Sequence, residues 1–148
     1  MSVFADSSAL VKLYADEAGA REVRALSAVA VSQLCRVEVP AALWRKQRLG
    51  ELDVLDAQVL TAEFEADFHG TDQSVPRFSA VAASVEVLED AARLCAVHGL
   101  RAYDAVQLAC ATAARAADPG VRTVAAFDRL LRQAAAAEGF TLLPARLP

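Results

Sequence analysis

The chain has 148 residues, of which 55% are hydrophobic, and carries a formal net charge of −4 at pH 7. This size predicts a single domain, residues 1–148, with one substantial hydrophobic core. The acidic balance disfavours constitutive nucleic-acid binding through a broad basic face, and the lack of long apolar runs or a signal-peptide pattern favours a cytoplasmic protein that does not bind membranes.

The first predicted elements are a strand and two helical stretches. An apolar run over residues 3–6 predicts a short buried strand, and the serines that follow it, Ser7 and Ser8, can cap a helix over residues 9–14. A second helical stretch extends from about residue 16 to residue 26.

A second strand is predicted over residues 29–31, and Ser32 is a potential N-cap for the helix that follows. That helix is expected to end near Gly50, and Pro40 should kink it or shift its start. Its apolar stripe is formed by Leu34, Val37, Ala41 and Trp44.

The middle of the chain continues the alternation of helix and strand. Residues 53–68 show a helical pattern, residues 70–76 predict a loop, and residues 78–83 predict a strand. Ser84 opens a further helix, which Gly99 ends.

The last part of the chain predicts two helices and two strands. A helix follows Arg101 and continues through residue 117, and a strand is predicted over residues 121–126. A helix over residues 128–138 is then closed by glycine, and residues 141–143 form a last strand.

Short apolar strands that alternate with helices predict a parallel sheet, because parallel strands need helical crossovers and helices then cover both sheet faces. The predicted class is therefore three-layer α/β. Neither G-x-G-x-x-G nor G-x-x-x-x-G-K-[ST] occurs, which disfavours a nucleotide cofactor. The three cysteines never form C-x-x-C, which disfavours a disulfide framework and a thiolate zinc site.

Two aspartates follow predicted strands. In parallel α/β sheets the ligand crevice lies beyond the carboxyl ends of the strands, near the point where strand order reverses. Asp6 lies at such an end and Asp128 just beyond another, so both face one crevice if their strands are central. Each is also a preferred helix N-cap, and capping alone accounts for Asp128 equally well.

Glu38 has no cation on its own helix. It lies at the edge of the predicted apolar stripe, and the positions three and four residues away offer no Lys or Arg. A carboxylate beside a core must reach water, take a proton or find a positive charge elsewhere, such as a metal ion. An ordinary exposed glutamate is the alternative.

Asp104 is an acid among apolar neighbours at the start of a predicted helix. The helix dipole favours an acid there by roughly 0.3 to 1 kcal/mol, and Arg101 can pair with it, so a structural role stays open. If the four acids converge, a hard divalent cation would relieve their repulsion, and oxygen ligands select Mg²⁺ or Mn²⁺. Such an ion can polarise a phosphodiester and activate water.

Four segments carry a resemblance to a known family. They are F-A-D-S-S-A-L-V-K-L-Y with Asp6, R-V-E-V-P-A-A-L with Glu38, L-R-A-Y-D-A-V-Q-L-A with Asp104, and A-A-F-D-R-L-L with Asp128. In order, spacing and context, these segments resemble the PIN-domain ribonucleases, and among them the VapC-type toxins of bacterial toxin–antitoxin pairs. The resemblance spans nearly the whole chain.

The resemblance implies a Rossmann-like sheet of about five parallel strands and Mg²⁺- or Mn²⁺-dependent cleavage of RNA. It implies that Asp6 and Asp104 are direct metal ligands. Glu38 and Asp128 would complete the pocket, as ligands through water or by orienting the attacking water. It also implies a homodimer neutralised by a small antitoxin whose tail occupies the active-site groove, often with an arginine that pairs with the acids.

One position departs from the family pattern. Members often have Thr or Ser two residues before the last acid, where this chain has Ala126. Any hydroxyl contact to metal or water from that position is lost, and Ser7 or Ser8 would have to compensate.

Other functions compete with this interpretation. A phosphoacceptor receiver domain is disfavoured, because it needs paired acids after the first strand and a late lysine, whereas Ser7 follows Asp6 and no lysine follows Lys46. A PIN-like module that binds RNA or a protein without cleavage stays open, as does a DNA- or structure-specific nuclease.

Overall fold

The computed structural model describes residues 2–148. Its strands within that range are β1 (Ser2–Ala5), β2 (Ala28–Ser32), β3 (Phe78–Val81), β4 (Thr123–Ala125) and β5 (Thr141–Leu143). Its helices are α1 (Ser7–Tyr14), α2 (Ala20–Arg24), α3 (Cys35–Arg48), α4 (Val54–His69), α5 (Val85–His98), α6 (Ala102–Ala117) and α7 (Arg129–Ala137). None of these helices, all within residues 2–148, is long and apolar enough to cross a membrane.

The five strands form one parallel sheet in the order β3-β2-β1-β4-β5. β1 is the central strand, and its Val3 lies opposite Val29 of β2 and Thr123 of β4. The chain builds outward from β1 to β3 and then returns to β4, so the strand order reverses between β1 and β4. The crevice expected at such a reversal lies beyond the carboxyl ends of these two strands.

Helices cover both faces of the sheet. Phe4 of β1 packs with residues of α5, α6 and α7, whereas its neighbours Val3 and Ala5 pack with residues of α1, α2, α3 and α4. Successive side chains of a strand point to opposite faces, and both faces are buried at β1, so Val3, Phe4 and Ala5 are all apolar. The prediction of a three-layer α/β class with a parallel sheet is confirmed.

The second half of the chain follows the predicted boundaries closely. Ser84 caps α5, because its side chain accepts a hydrogen bond from the backbone N of Val87 at 3.3 Å. Gly99 ends that helix with a φ of 66°, a left-handed conformation that favours glycine. α6 begins directly after Arg101, and the last strand has its predicted bounds.

The first two helices differ from their predicted starts. Asp6, rather than Ser7 or Ser8, caps α1, and both serines lie in its first turn. α2 is much shorter than the predicted helix over residues 16–26. Gly19 precedes it with a φ of 87°, outside the right-handed helical region, so the helix begins only after this glycine.

α3 buries a different face from the predicted one. Its buried residues are Cys35, Val39 and Leu43, spaced by four, whereas Val37 is 69% exposed. Pro40 lies inside α3 and does not shift its start. Packing of the buried face holds the turns on both sides of the proline, which removes only one backbone donor.

The turn between β2 and α3 depends on Ser32, which ends the strand instead of capping the helix as predicted. Its Oγ accepts a hydrogen bond from the backbone N of Leu34 at 3.1 Å. Cys35 therefore becomes the first residue of α3, and Glu38 follows in its first turn.

Candidate acidic active site

Asp6 lies at the carboxyl end of the central strand, and its carboxyl is held by local donors. Its Oδ1 accepts hydrogen bonds from the backbone N of Ala9 at 3.0 Å and from Ser8 Oγ at 2.7 Å. Its backbone N donates to the carbonyl oxygen of Ala125, which ends β4, at 3.0 Å. Asp6 therefore lies at the reversal point of the sheet, as predicted.

Burial and nearby acids change the protonation of Asp6. The residue is only 5% exposed. Burial raises the pKa of its carboxyl to about 7, and the negative charges of Asp104 and Glu38 add to the rise, although the donors from Ser8 and Ala9 oppose it. The charges of α3 and α6 therefore act on the carboxyl that follows β1.

Glu38 reaches this cluster from the first turn of α3. Its Oε1 accepts hydrogen bonds from Ser7 Oγ at 3.1 Å and from Gln107 Nε2 at 2.8 Å. Gln107 Nε2 also lies 2.9 Å from Ser7 Oγ, which accepts a hydrogen bond from it. Neutral donors from α1 and α6, rather than a cation on its own helix, thus orient the Glu38 carboxylate.

Gln107 is a site residue that the sequence did not single out. It is 2% exposed and lies one turn after Asp104 on α6. Its Nε2 serves acceptors from α1 and α3, while its Oε1 is buried without a hydrogen-bond partner in the described residues. A polar residue on the apolar face of a predicted helix, beside an acid, was the available signal.

Asp104 and Asp128 share one cation at the open side of the site. Arg101 Nε and Nη2 each lie 3.2 Å from Asp104 Oδ2, and Nη2 lies 3.8 Å from Asp128 Oδ2. The Arg101 side chain is 79% exposed. The predicted pairing of Arg101 with Asp104 is therefore present, and Asp128 joins the cluster through the same guanidinium.

Asp128 also acts as the predicted helix cap. Its Oδ1 accepts a hydrogen bond from the backbone N of Leu131 at 2.9 Å, at the start of α7. Its other oxygen, Oδ2, faces Arg101. The capping interpretation is thus correct for one oxygen, and the second oxygen remains available to the site.

The two serines after Asp6 connect the acids to the rest of the fold. Ser8 Oγ donates to Asp6 and accepts a hydrogen bond from the backbone N of Phe127 at 3.0 Å, which ties α1 to the segment before Asp128. Ser7 Oγ donates to Glu38. Both hydroxyls therefore contact acids, whereas Ala126 is fully buried and offers no polar side chain.

The four acids are not arranged around a single point. As they lie, no three His, Cys, Asp or Glu side chains within residues 2–148 are arranged to hold one metal ion. Asp104 and Asp128 pair with Arg101, whereas Glu38 is held by Ser7 and Gln107 and only Asp6 is buried. A surface cavity of about 260 Å³ adjoins the cluster and is lined by Glu38, Arg101, Ala102, Tyr103 and Asp104.

Comparisons with known proteins agree with this architecture. Residues 3–137 match the family model described as PIN domain. Two curated relatives are each 37% identical over 150 residues, which cover 98% of this chain and 96% of the relative. They are Ribonuclease VapC45 of Mycobacterium tuberculosis (strain CDC 1551 / Oshkosh) and Ribonuclease VapC49 of Mycobacterium tuberculosis (strain ATCC 25618 / H37Rv).

A solved structure is similar in fold. The crystal structure of PAE2754 from Pyrobaculum aerophilum superposes with a TM-score of 0.58 and covers 90% of this chain and 79% of its own. The two sequences are 24% identical, so this similarity concerns the fold alone.

Proposed function

The chain belongs to the PIN-domain family, and we infer from this membership and from its VapC-named relatives that it is an endoribonuclease of the toxin type. The observation that carries this function is the approach of Glu38 and Asp104 to Asp6 at the carboxyl end of the central strand, where their negative charges help to raise the pKa of the buried Asp6 carboxyl. Carboxylates from different elements that repel one another suit a hard divalent cation, which phosphodiester hydrolysis at neutral pH can use.

The donor set fits Mg²⁺ or Mn²⁺, because carboxylate oxygens are the ligands that these ions prefer. We assign Asp6 and Asp104 as direct ligands, with Glu38 and Asp128 completing the pocket through water. Asp104 must turn away from Arg101 to join Asp6, and an exposed ion pair of about 0–1 kcal/mol is easily broken. When bound, the cation supplies Lewis-acid polarisation of the phosphodiester.

The neighbouring residues prepare the acids for this role. Ser8 and the backbone N of Ala9 fix the Asp6 carboxyl, so its orientation is set before RNA arrives. Ser7 and Gln107 occupy one oxygen of Glu38, which leaves Oε2 to accept a hydrogen bond from the attacking water. Preorganised groups of this kind lower the barrier, because they need no reorientation during the reaction.

A small antitoxin protein is the partner that we propose, acting in the cytoplasm on a homodimer of this chain. The VapC names of the two relatives support this proposal. Asp104 and Asp128 already pair with the guanidinium of Arg101. The same two carboxylates could therefore pair with an arginine of an antitoxin tail, which would block the site. Sedimentation of the chain alone, and with the product of the preceding open reading frame, tests both assemblies.

Cleavage of a labelled RNA tests the activity directly. We expect the purified chain to cut RNA in the presence of Mn²⁺ or Mg²⁺ and to lose this activity in a chelator. Asp104→Asn removes a ligand charge and little volume, so it should abolish cleavage while the fold is retained. A DNA of the same sequence, assayed in parallel, separates a ribonuclease from a DNA nuclease.

Asp72→Asn is the matched control, because Asp72 is an exposed aspartate in the loop that precedes β3, at the opposite end of the sheet. This variant should cleave RNA like the parent. Full activity of a folded Asp104→Asn variant would refute the assigned site, and an inert parent would favour the non-cleaving RNA- or protein-binding module.

A further inference from the structure

Arg101 and Tyr103 lie at the edge of the acidic site and contribute little to the core. The Arg101 side chain is 79% exposed and Tyr103 is 67% exposed. Both line the 260 Å³ cavity that also contains Glu38 and Asp104. Because Tyr103 is largely exposed at the start of α6, beside the acids, its aromatic ring is accessible to a ligand.

Arg101 is a cation with spare donors. Its Nε and Nη2 face Asp104 and Asp128, but no partner is assigned to Nη1 in residues 2–148. Exposed ion pairs are weak, so the guanidinium can exchange its carboxylate partners for a phosphate. Arginine binds phosphate oxygens through paired N–H groups. At the edge of this acidic site, Arg101 therefore offers an exposed positive charge to a phosphate of the RNA.

Tyr103 supplies the complementary chemistry. Aromatic side chains bind unpaired RNA by stacking on its bases, whereas bases inside a duplex are already stacked and paired. Arg101 is the N-cap of α6 and Tyr103 lies in its first turn, and both residues line the cavity that also contains Asp104. A cation that can bind phosphate and an aromatic ring therefore border the same opening next to the acids. A single nucleotide presents the same pair of groups, a phosphate and a base.

We propose that Arg101 and Tyr103 form a subsite for one unpaired nucleotide of the RNA substrate, adjacent to the phosphodiester that is cut. Arg101 binds the phosphate of this nucleotide, and Tyr103 stacks on its base. This inference rests on the ribonuclease function proposed above, and it assigns two residues of this chain to contacts with the substrate.

Binding of a fluorescent single-stranded RNA tests the subsite separately from cleavage. Affinity is measured with Mn²⁺ in a chain that also carries Asp6→Asn, so that the RNA stays intact. KM for RNA cleavage is measured separately, in a chain that retains Asp6. Tyr103→Leu should weaken binding by about 10-fold, within the range of roughly 5- to 150-fold for the loss of one stacked base. Tyr103→Phe keeps the ring and should stay within about twofold of the parent.

Arg101→Gln should weaken binding and flatten its salt dependence, with the log–log slope reduced by about 0.7 for one single-strand phosphate. Arg101→Lys should retain that slope. Arg122→Gln is the matched control, because Arg122 is an exposed arginine at the amino end of β4, at the opposite end of the sheet, and it should change neither quantity.

A duplex of the same RNA provides the contrasting arm, since its affinity should not depend on Tyr103. The subsite is refuted if Tyr103→Leu leaves both the affinity and KM unchanged, or if duplex and single-stranded RNA lose equal affinity. A parent chain that cleaves no RNA would refute the proposed function instead, so the two failures are distinguishable.

Discussion

The Asp6 carboxyl is almost fully buried, and two further acids act on it. Its pKa of about 7 lies above the value of 3.8 expected for an unfolded chain. Between these values the folded protein retains a proton that the unfolded chain releases. The free energy of unfolding therefore decreases as the pH rises through this window, by up to about 1.4 kcal/mol for each pH unit.

This linkage predicts the pH dependence of the metal-free protein. Its melting temperature, measured in chelator, should fall as the pH rises from about 5 to about 7. Asn at position 6 keeps an oxygen that can cap α1, but its side chain cannot ionise. The melting temperature of Asp6→Asn should therefore depend less on pH, and the variant should be more stable than the parent at about pH 8. Parallel profiles for parent and variant would mean that Asp6 is already ionised across this range.

At the residue scale the sequence identified the acids better than their partners. Asp6 was found because it follows an apolar strand, and Asp104 because it interrupts an apolar helix. The apolar stripe predicted beside Glu38 was wrong, because its Val37 is 69% exposed, but the expectation that Glu38 contacts residues outside its own helix agrees with its hydrogen bonds to Ser7 and Gln107. Gln107 was missed because its acceptors lie far away along the chain, and helical periodicity reports nothing about such distant contacts.

At the scale of elements, all four acids lie at the starts of helices. Asp6 and Asp128 each cap a helix that follows a strand of the sheet, and Glu38 and Asp104 lie in the first turns of α3 and α6. Helix N-termini favour negative charge by roughly 0.3 to 1 kcal/mol each, which offsets part of the repulsion among the carboxylates. The fold thus tolerates the acids that the site needs.

The double role of Asp128 can be separated by two substitutions. Asp128→Ser keeps a capping oxygen for α7 and removes the charge, whereas Asp128→Ala removes both. We expect Asp128→Ala to lower the free energy of unfolding by about 1 kcal/mol relative to Asp128→Ser, as measured by urea denaturation. Both variants should lose RNA cleavage to the same extent. If Asp128→Ser is as active as the parent, Asp128 is a cap alone.

Element boundaries were predictable where a local device sets them. Ser84 begins α5 with a side-chain cap, and Gly99 ends it with a positive φ. Both residue types are recognisable in the sequence as helix-boundary signals. The buried face of α3 was not, because apolar residues occur on more than one side of that helix and tertiary packing selects among them. The predicted start of α2 failed because Gly19 adopts a φ of 87° that no neighbouring residue reveals.

At the scale of the whole molecule, strand order decides whether the acids meet. The alternation of elements predicted a parallel sheet, but the strands have only 3–5 residues, and their patterns do not encode which neighbours pair. The pairing of β1 with β4 joins segments from opposite ends of the chain. That non-local contact brings Asp6 and Asp128 to the same edge of the sheet.

The central claim is that these acids form one divalent-cation site, and scanning calorimetry with and without Mn²⁺ tests it most directly. Metal should raise the melting temperature of the parent, since a ligand at about 100 times its dissociation constant adds roughly 2.7 kcal/mol. Metal-free Asp104→Asn should be at least as stable as the metal-free parent, because one crowded charge is removed, and its response to Mn²⁺ should shrink. A metal-free variant that is clearly destabilised, with an unchanged Mn²⁺ shift, would contradict the account and make Asp104 a structural partner of Arg101.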